Sequence, residues 1–251
     1  MISTVAEKAS AGSGASLDNE AGRWDERLGW AYGLVADDPG ERAAALTQLS
    51  NSHRKTSDAH DRMNEAWRRR LPLGRKRAAG NYYEALRHSL PGALWNRPPG
   101  TDIAAWPGLP YALLYLEWEA RYPREWTQHA KAWGTKERLI RDLAVTHHDK
   151  STRAKLAGLI EIVVQRPYRC KDHEYVRVAR AVDSDDLRGR LNTAARTENP
   201  WARRHAGYIL WLLDRPEVPH TRHVWRQWLT SECSEQVLPE RPVGEPAEAA
   251  Y

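Results

Sequence analysis

The sequence predicts an all-α protein, and three observations carry that reading. Between residues 18 and 230 nearly every segment repeats its apolar residues at helical spacing, and none alternates apolar and polar residues over a useful length. Cap residues followed by proline, Asp38-Pro39 and Asn199-Pro200, mark helix starts, because the proline at the first helical position has no N–H to leave unpaired. Three segments also share one order of cap, arginine and apolar face.

The elements follow in order along the chain. The opening MISTVAEKASAGSGASL is small and polar and lacks the apolar stretch of a signal peptide, so residues 1–17 read as a disordered tail. Helices are expected near 18–36, 39–51, 58–70, 75–90, 109–121, 124–133, 136–147, 150–165, 173–181, 185–196, 200–213 and 218–230. Thr135, Asp149 and Ser184 are further expected caps, and Pro91, Pro107, Pro123, Pro167 and Pro216 interrupt or start elements. The Pro- and Glu-rich end, VLPERPVGEPAEAAY, reads as a second disordered tail over 237–251. Residues 18–230 are then a single all-α helical-repeat domain.

Composition bounds the function. A formal net charge of +5 and a sequence pI near 9.2 favour acidic partners. The Ala- and Arg-rich composition is also what a high-GC bacterial genome produces without regard to function. Twelve Trp and ten Tyr stand beside no Phe, so every aromatic carries a polar handle suited to half-buried positions. The absence of Phe has no physical explanation here. Two cysteines, Cys170 and Cys233, are too few for a disulfide framework and fit a reducing, cytoplasmic compartment. The longest apolar run, YILWLL, falls far short of the roughly 20 residues that span a bilayer, so no membrane is expected.

The shared pattern appears in DDPGERAAALTQL, HDKSTRAKLAGLI and ENPWARRHAGYIL, with Asp38, Asp149 and Asn199 at the cap and Arg42, Arg153 and Arg203 four residues later. Here the chain resembles HEAT-like repeats, well over about 135–230, tolerably over 38–50, and poorly over 55–130. The resemblance implies an α-solenoid of antiparallel helix pairs, irregular in its N-terminal half, in which a cap and an arginine build polar ladders between units. An irregular helical bundle is the competing architecture.

On a helical wheel the two adjacent arginines of ENPWARRHAGYILWLL separate. Ala202, Ala206, Ile209 and Leu213 form a core stripe, and Arg203 on its flank takes the ladder position. Arg204, Tyr208, Trp211 and Arg215 form the opposite stripe. Such a stripe can pair phosphates and stack bases on a concave surface, or it can be covered by the following helix, whose Trp225 and Trp228 need a partner. It does not continue into the preceding unit, where Ala154, Gly158, Glu161 and Gln165 take its positions.

A second basic cluster, WRRRLPLGRKR, places Arg68, Arg69, Arg70, Arg75, Lys76 and Arg77 around a Pro-Gly turn. It can neutralise phosphates and make binding steeply salt-dependent, or it can be a solvated helix end favoured by the dipole. The nearest metal patterns are C-x-x-H at Cys170 and His173, H-x-x-H at His220 and His223, and the His147-His148 pair; none has the spacing of a common zinc module, so no metal is expected. No phosphate loop, nucleophile elbow or H-E-x-x-H occurs, and no cofactor is expected.

ENPWARRHAGYILWLL is also similar to a segment of the alkylpurine DNA glycosylases, which are built on HEAT-like repeats. That similarity implies that Arg204 matches a concave-face arginine and Trp201 the tryptophan three positions before it. The aromatic-aromatic-Asp-x-x-Asp element of those enzymes, which holds the catalytic Asp, has no counterpart in this chain. The expectation is therefore a nucleic-acid-binding scaffold, with duplex DNA as ligand and without catalysis. A base-excision glycosylase and a protein-interaction scaffold are the alternatives.

Overall fold

A computed structural model describes residues 22–69 and 72–235. The expected tails at 1–17 and 237–251, together with Arg70 and the side chain of Cys233, lie outside the described residues. Within them the chain is helical, with no strand. The helices are α1 (22–28), α2 (Pro39–Arg68), α3 (Pro72–Arg87), α4 (Leu109–Arg121), α5 (Pro123–His129), α6 (Trp133–Leu143), α7 (Lys150–Val164), α8 (Tyr175–Ala181), α9 (Asp185–Ala195), α10 (Pro200–Leu213) and α11 (Arg222–Glu235).

Four expected caps form. Asp38 accepts the Glu41 N–H at 2.9 Å, Asp149 that of Thr152 at 2.7 Å, Ser184 that of Leu187 at 3.3 Å and Asn199 that of Trp201 at 3.0 Å. Asn199 also donates to the Gln165 carbonyl at 2.7 Å, which ties the start of α10 to the end of α7. Thr135 is a correction. Helix α6 begins at Trp133 after an uncapped Ala132, and Thr135 is buried, where it accepts the indole N–H of Trp95 at 2.9 Å.

Among the boundaries that differ, two change the element itself. The expected helix 18–36 changes at Gly29 into a 3-10 segment, Gly29–Val35. A β-carbon on Gly33 would lie 2.9 Å from that of Ala45, so this segment crosses α2 at backbone contact. The expected helices 39–51 and 58–70 are one continuous 30-residue helix, α2. Nothing between Glu41 and Leu71 is Gly or Pro, so the polar run NSHRKTS has no reason to break it.

Helix α4 is the hub of the core. All of Tyr111–Leu116, with Trp118 and Ala120, is buried, as expected of a helix apolar all round. It packs on α5, α7 and the 3-10 segments; α7 in turn packs on α8, α9 and α10. The stripe Ala202, Ala206, Ile209 and Leu213 is buried as the wheel predicts, and one apolar cluster runs from Trp24 to Trp228.

Of the three arginines in the shared pattern, two bridge to neighbours. Arg42 donates to the carbonyls of Ala36 and Asp37 at 2.8 and 2.9 Å and lies over the Tyr122 ring, while Arg153 reaches the Asp183 carbonyl at 3.0 Å. Arg203 does not: it is exposed, with no side-chain hydrogen bond or ion pair among the described residues. At the other end of α10, Arg180 from α8 reaches the carbonyls of Leu212, Arg215 and Val218.

Helices α2 and α3 form an antiparallel hairpin. Paired positions run in opposite directions along them: His53 with the Leu90 carbonyl, Thr56 with that of Ala85, His60 with Tyr82, and Trp67 with Arg75. Burial fades along α2, whose last buried residue is Ala59. The hairpin's far half therefore stands clear of the core.

Candidate functional site

The hairpin concentrates the basic charge. Residues 54–87 hold ten Lys or Arg against four Asp or Glu, a formal +6, which exceeds the +5 of the entire chain. Lys76 and Arg77 are exposed and make no side-chain ion pair among the described residues. Arg68 and Arg69 lie against Glu65 at 3.1 and 2.7 Å, exposed pairs worth only a few tenths of a kcal/mol. Arg75 is half-buried with its guanidinium 4.9 Å from the Trp67 ring centroid, so it helps close the hairpin. Trp67 and Leu73 near the tip are 56% and 88% exposed.

A cleft of about 470 Å³ opens at the hairpin's base. Arg87, the last residue of α3, lines it with Arg23 and Arg27; Trp24 and Trp106 form an edge-to-face pair on its wall, and no carboxylate is among its lining residues. Arg23 and Arg87 bring guanidiniums that can pair a phosphate, while Trp24 and Trp106, 7% and 5% exposed, wall the cleft without an open face for stacking. The sequence reading missed this cleft because its residues come from four separate segments.

The predicted stripe on α10 divides. Arg204 is exposed 5.7 Å over the Trp201 ring, and Arg215 is exposed 5.0 Å over that of half-buried Trp211. Tyr208 is a correction as an open stacking surface. It is 1% exposed, with ring centroids 4.6 Å from Trp225 and 5.2 Å from Trp228, because α11 folds over this face of α10.

Two further arrangements went unread in the sequence. The first is a buried ion network. Lys136, Glu119 and Asp172 have no exposed surface. Lys136 donates to Glu119 at 2.8 Å and to Asp172; Arg166 bridges both carboxylates at 2.9 Å; Arg169 reaches Glu119 at 2.8 Å through its side chain and Asp172 at 2.7 Å through its backbone N–H. Lys171, with φ of 71°, turns the chain just before Asp172. Every oxygen of Glu119 and Asp172 is engaged, so the network joins α4, α6 and the 165–172 loop. A signal existed: Lys136 shares the i, i+3, i+4, i+7 stripe of Leu139, Ile140 and Leu143.

The second is a pocket of about 340 Å³ between α10, α11 and the 168–177 segment, lined by Tyr168, Glu174, Arg177, Tyr208, His220 and Trp225 among others. Burial alone would raise the Glu174 carboxyl, but the hydrogen bonds and charges of Arg141 and Arg177 overcome it and hold it at about 2. Burial lowers His220 to about 4 and raises Tyr208 to about 12. His173 and His220, from the two sequence motifs, meet with ring centroids 5.7 Å apart, yet no group of three or more metal-binding side chains occurs among the described residues. No helix among them is long and apolar enough to cross a membrane.

Compared with known proteins, the chain matches no family model, no curated protein and no solved structure.

Proposed function

We propose that this protein binds nucleic acid, with duplex DNA as the preferred form, through the α2–α3 hairpin and the arginine-lined cleft at its base, without catalysis. The observation that carries the reading is the segregation of charge: a projecting hairpin holds a formal +6, while the remainder of the chain is close to neutral. A helix about 10–12 Å across fits a major groove about 12 Å wide, and Lys76 and Arg77, exposed and without an ion pair among the described residues, can meet phosphates. Arg87 makes the cleft continuous with the hairpin. Arg204 and Arg215 supply further cations on α10. The stacking of α7 against α4 and α10 supports a HEAT-like arrangement of helix pairs as the scaffold.

The test is fluorescence anisotropy of a labelled duplex between about 50 and 200 mM salt, where log affinity should fall with a slope of about −0.9 per phosphate contacted. Replacing Arg68, Lys76 and Arg77 by Ala should flatten that slope by about 2 to 3 and weaken all sequences alike. An unchanged slope in that variant would remove the hairpin from the interface. Docking of a protein partner is the second reading, favoured by the exposed Trp67, Leu73 and Tyr83 on the same hairpin. It predicts a salt-insensitive partner whose binding is lost in Trp67→Ala and Leu73→Ser.

A further inference from the structure

We propose that the pocket between α10 and α11 binds a small planar aromatic molecule carrying one anionic group. This does not rest on the nucleic-acid reading, since the pocket shares no residue with the hairpin or its cleft. Its aromatic part is a corner: Trp225 meets Tyr208 edge-on at 4.6 Å between ring centroids and lies tilted to Tyr168 at 6.1 Å. A flat ring entering the pocket meets the half-buried rings of Trp225 and Tyr168, while Tyr208, 1% exposed, offers it the hydroxyl and no open face. The pocket's volume of about 340 Å³ is at the small end of ligand sites, which suits one or two fused rings with a substituent.

Polar groups on the same wall define the rest of the ligand. The Tyr208 hydroxyl is buried and has no hydrogen-bond partner, a deficit that an entering acceptor or donor would remove. Glu174 is the single carboxylate lining the pocket, and both its oxygens are occupied: Oε1 by Arg141 at 2.9 Å and His173 at 3.3 Å, Oε2 by Arg177 at 2.8 Å. It has no free lone pair facing a ligand cation and presents no uncompensated charge to a ligand anion. Arg177 spends only its Nε on Glu174, and Arg222 makes no ion pair among the described residues, so two guanidiniums keep donors for an anionic group. Burial keeps His220 neutral, able to donate or accept without adding charge.

The ligand chemistry has two sources, a mononucleotide and an aromatic carboxylate, and calorimetric titration separates them. The probes are adenosine monophosphate and indole-3-acetate, each compared with its own halves lacking the charge or the ring: adenosine and inorganic phosphate for the first, indole and acetate for the second. At least one of the two complete probes should bind at about millimolar or better, and the halves about tenfold or more weaker, as expected from losing a charge-assisted hydrogen bond or a stacked ring. Arg222→Ala should lower affinity about tenfold, and Tyr208→Phe should lower it several-fold without a drop in melting temperature. The Arg68, Lys76 and Arg77 triple variant should bind these probes as the unaltered protein does, whatever it does to DNA. Failure of both complete probes to bind overturns the proposal, as do equal affinities for the halves or undiminished binding by both pocket variants.

Discussion

The hairpin and the α4–α8 core use the same residue types to opposite ends. In the core, Arg166, Arg169 and Lys136 each meet a carboxylate at hydrogen-bond distance, and Glu119 and Asp172 are left with no open oxygen. On the hairpin, Lys76 and Arg77 make no ion pair among the described residues, and the acids are too few to balance them. An arginine count therefore says little about function; what matters is which guanidiniums the fold has already paired. The buried network fixes positions at the expense of desolvation. The bare cations of the hairpin avoid that expense and remain available.

The comparison is sharpest in stability. Lys136→Met should destabilise the protein by about 3–5 kcal/mol, because it leaves two buried carboxylates sharing too few cations. Lys76→Ala and Arg77→Ala should each stay within about 0.5 kcal/mol of the parent. Thermal or urea unfolding of the three variants checks this, and a Lys136→Met protein as stable as the parent would show that the network is not what holds α6 to α4.

Tyr208→Ala comes close behind, at about 3–5 kcal/mol, as for other truncated buried aromatics. Arg204→Ala, four residues earlier on the same helix, should be almost silent in an unfolding experiment. Comparable losses from the two would mean that α11 does not divide the stripe as described.

Acid should act on the C-terminal region before the hairpin. Burial lowers His205, stacked on Tyr168 with ring centroids 3.5 Å apart, and His220 to about 4 each from an ordinary 6.5. Groups whose folded-state pKa is depressed lend stability above the unfolded value, and that stability is lost as pH falls from 6.5 through 4. The melting temperature should decline across that window, with amides of α10 and α11 exchanging faster before those of α2. His205→Gln should make the decline shallower. A melting temperature constant from neutral pH down to about 4.5 would contradict the burial of these rings.

A smaller loss than at Lys136 or Tyr208 is expected at a cap. Asn199→Ala removes the N-cap of α10 and the hydrogen bond to Gln165, for a loss of about 0.5–2 kcal/mol, and Asp38→Ala at the base of the hairpin should fall in the lower part of that range. Denaturation midpoints at matched slopes would resolve the two.

These contrasts also show what could be read in advance. Asp38, Asp149, Ser184 and Asn199 were legible because capping is a local event between a side chain and an amide two or three residues away. The small stripe of α10 was legible because helical periodicity is local too. The unbroken length of α2 was missed because the polar run after Ser50 faces α3 and solvent rather than the core, so apolar spacing faded while the helix continued. Arg203 was misplaced because what a side chain reaches is settled in three dimensions, where Arg153 meets the Asp183 carbonyl and Arg203 is exposed. The pocket joins Tyr168, Glu174 and Arg177 to Tyr208 and Trp225 across more than thirty residues of chain, and no short motif encodes such a meeting.

The fading burial along α2 has a consequence for range. From Ala59, the last buried residue, to Arg68 is nine residues, or about 14 Å of helix at 1.5 Å each. At physiological ionic strength, charges in water cease to sense one another beyond about 8 Å. The tip cations thus lie outside the reach of the body's own acids, and an approaching polyanion meets the field of the hairpin before that of the whole molecule. Lowering the ionic strength to about 0.01 M would extend that reach to about 30 Å and bring body and tip back into one field.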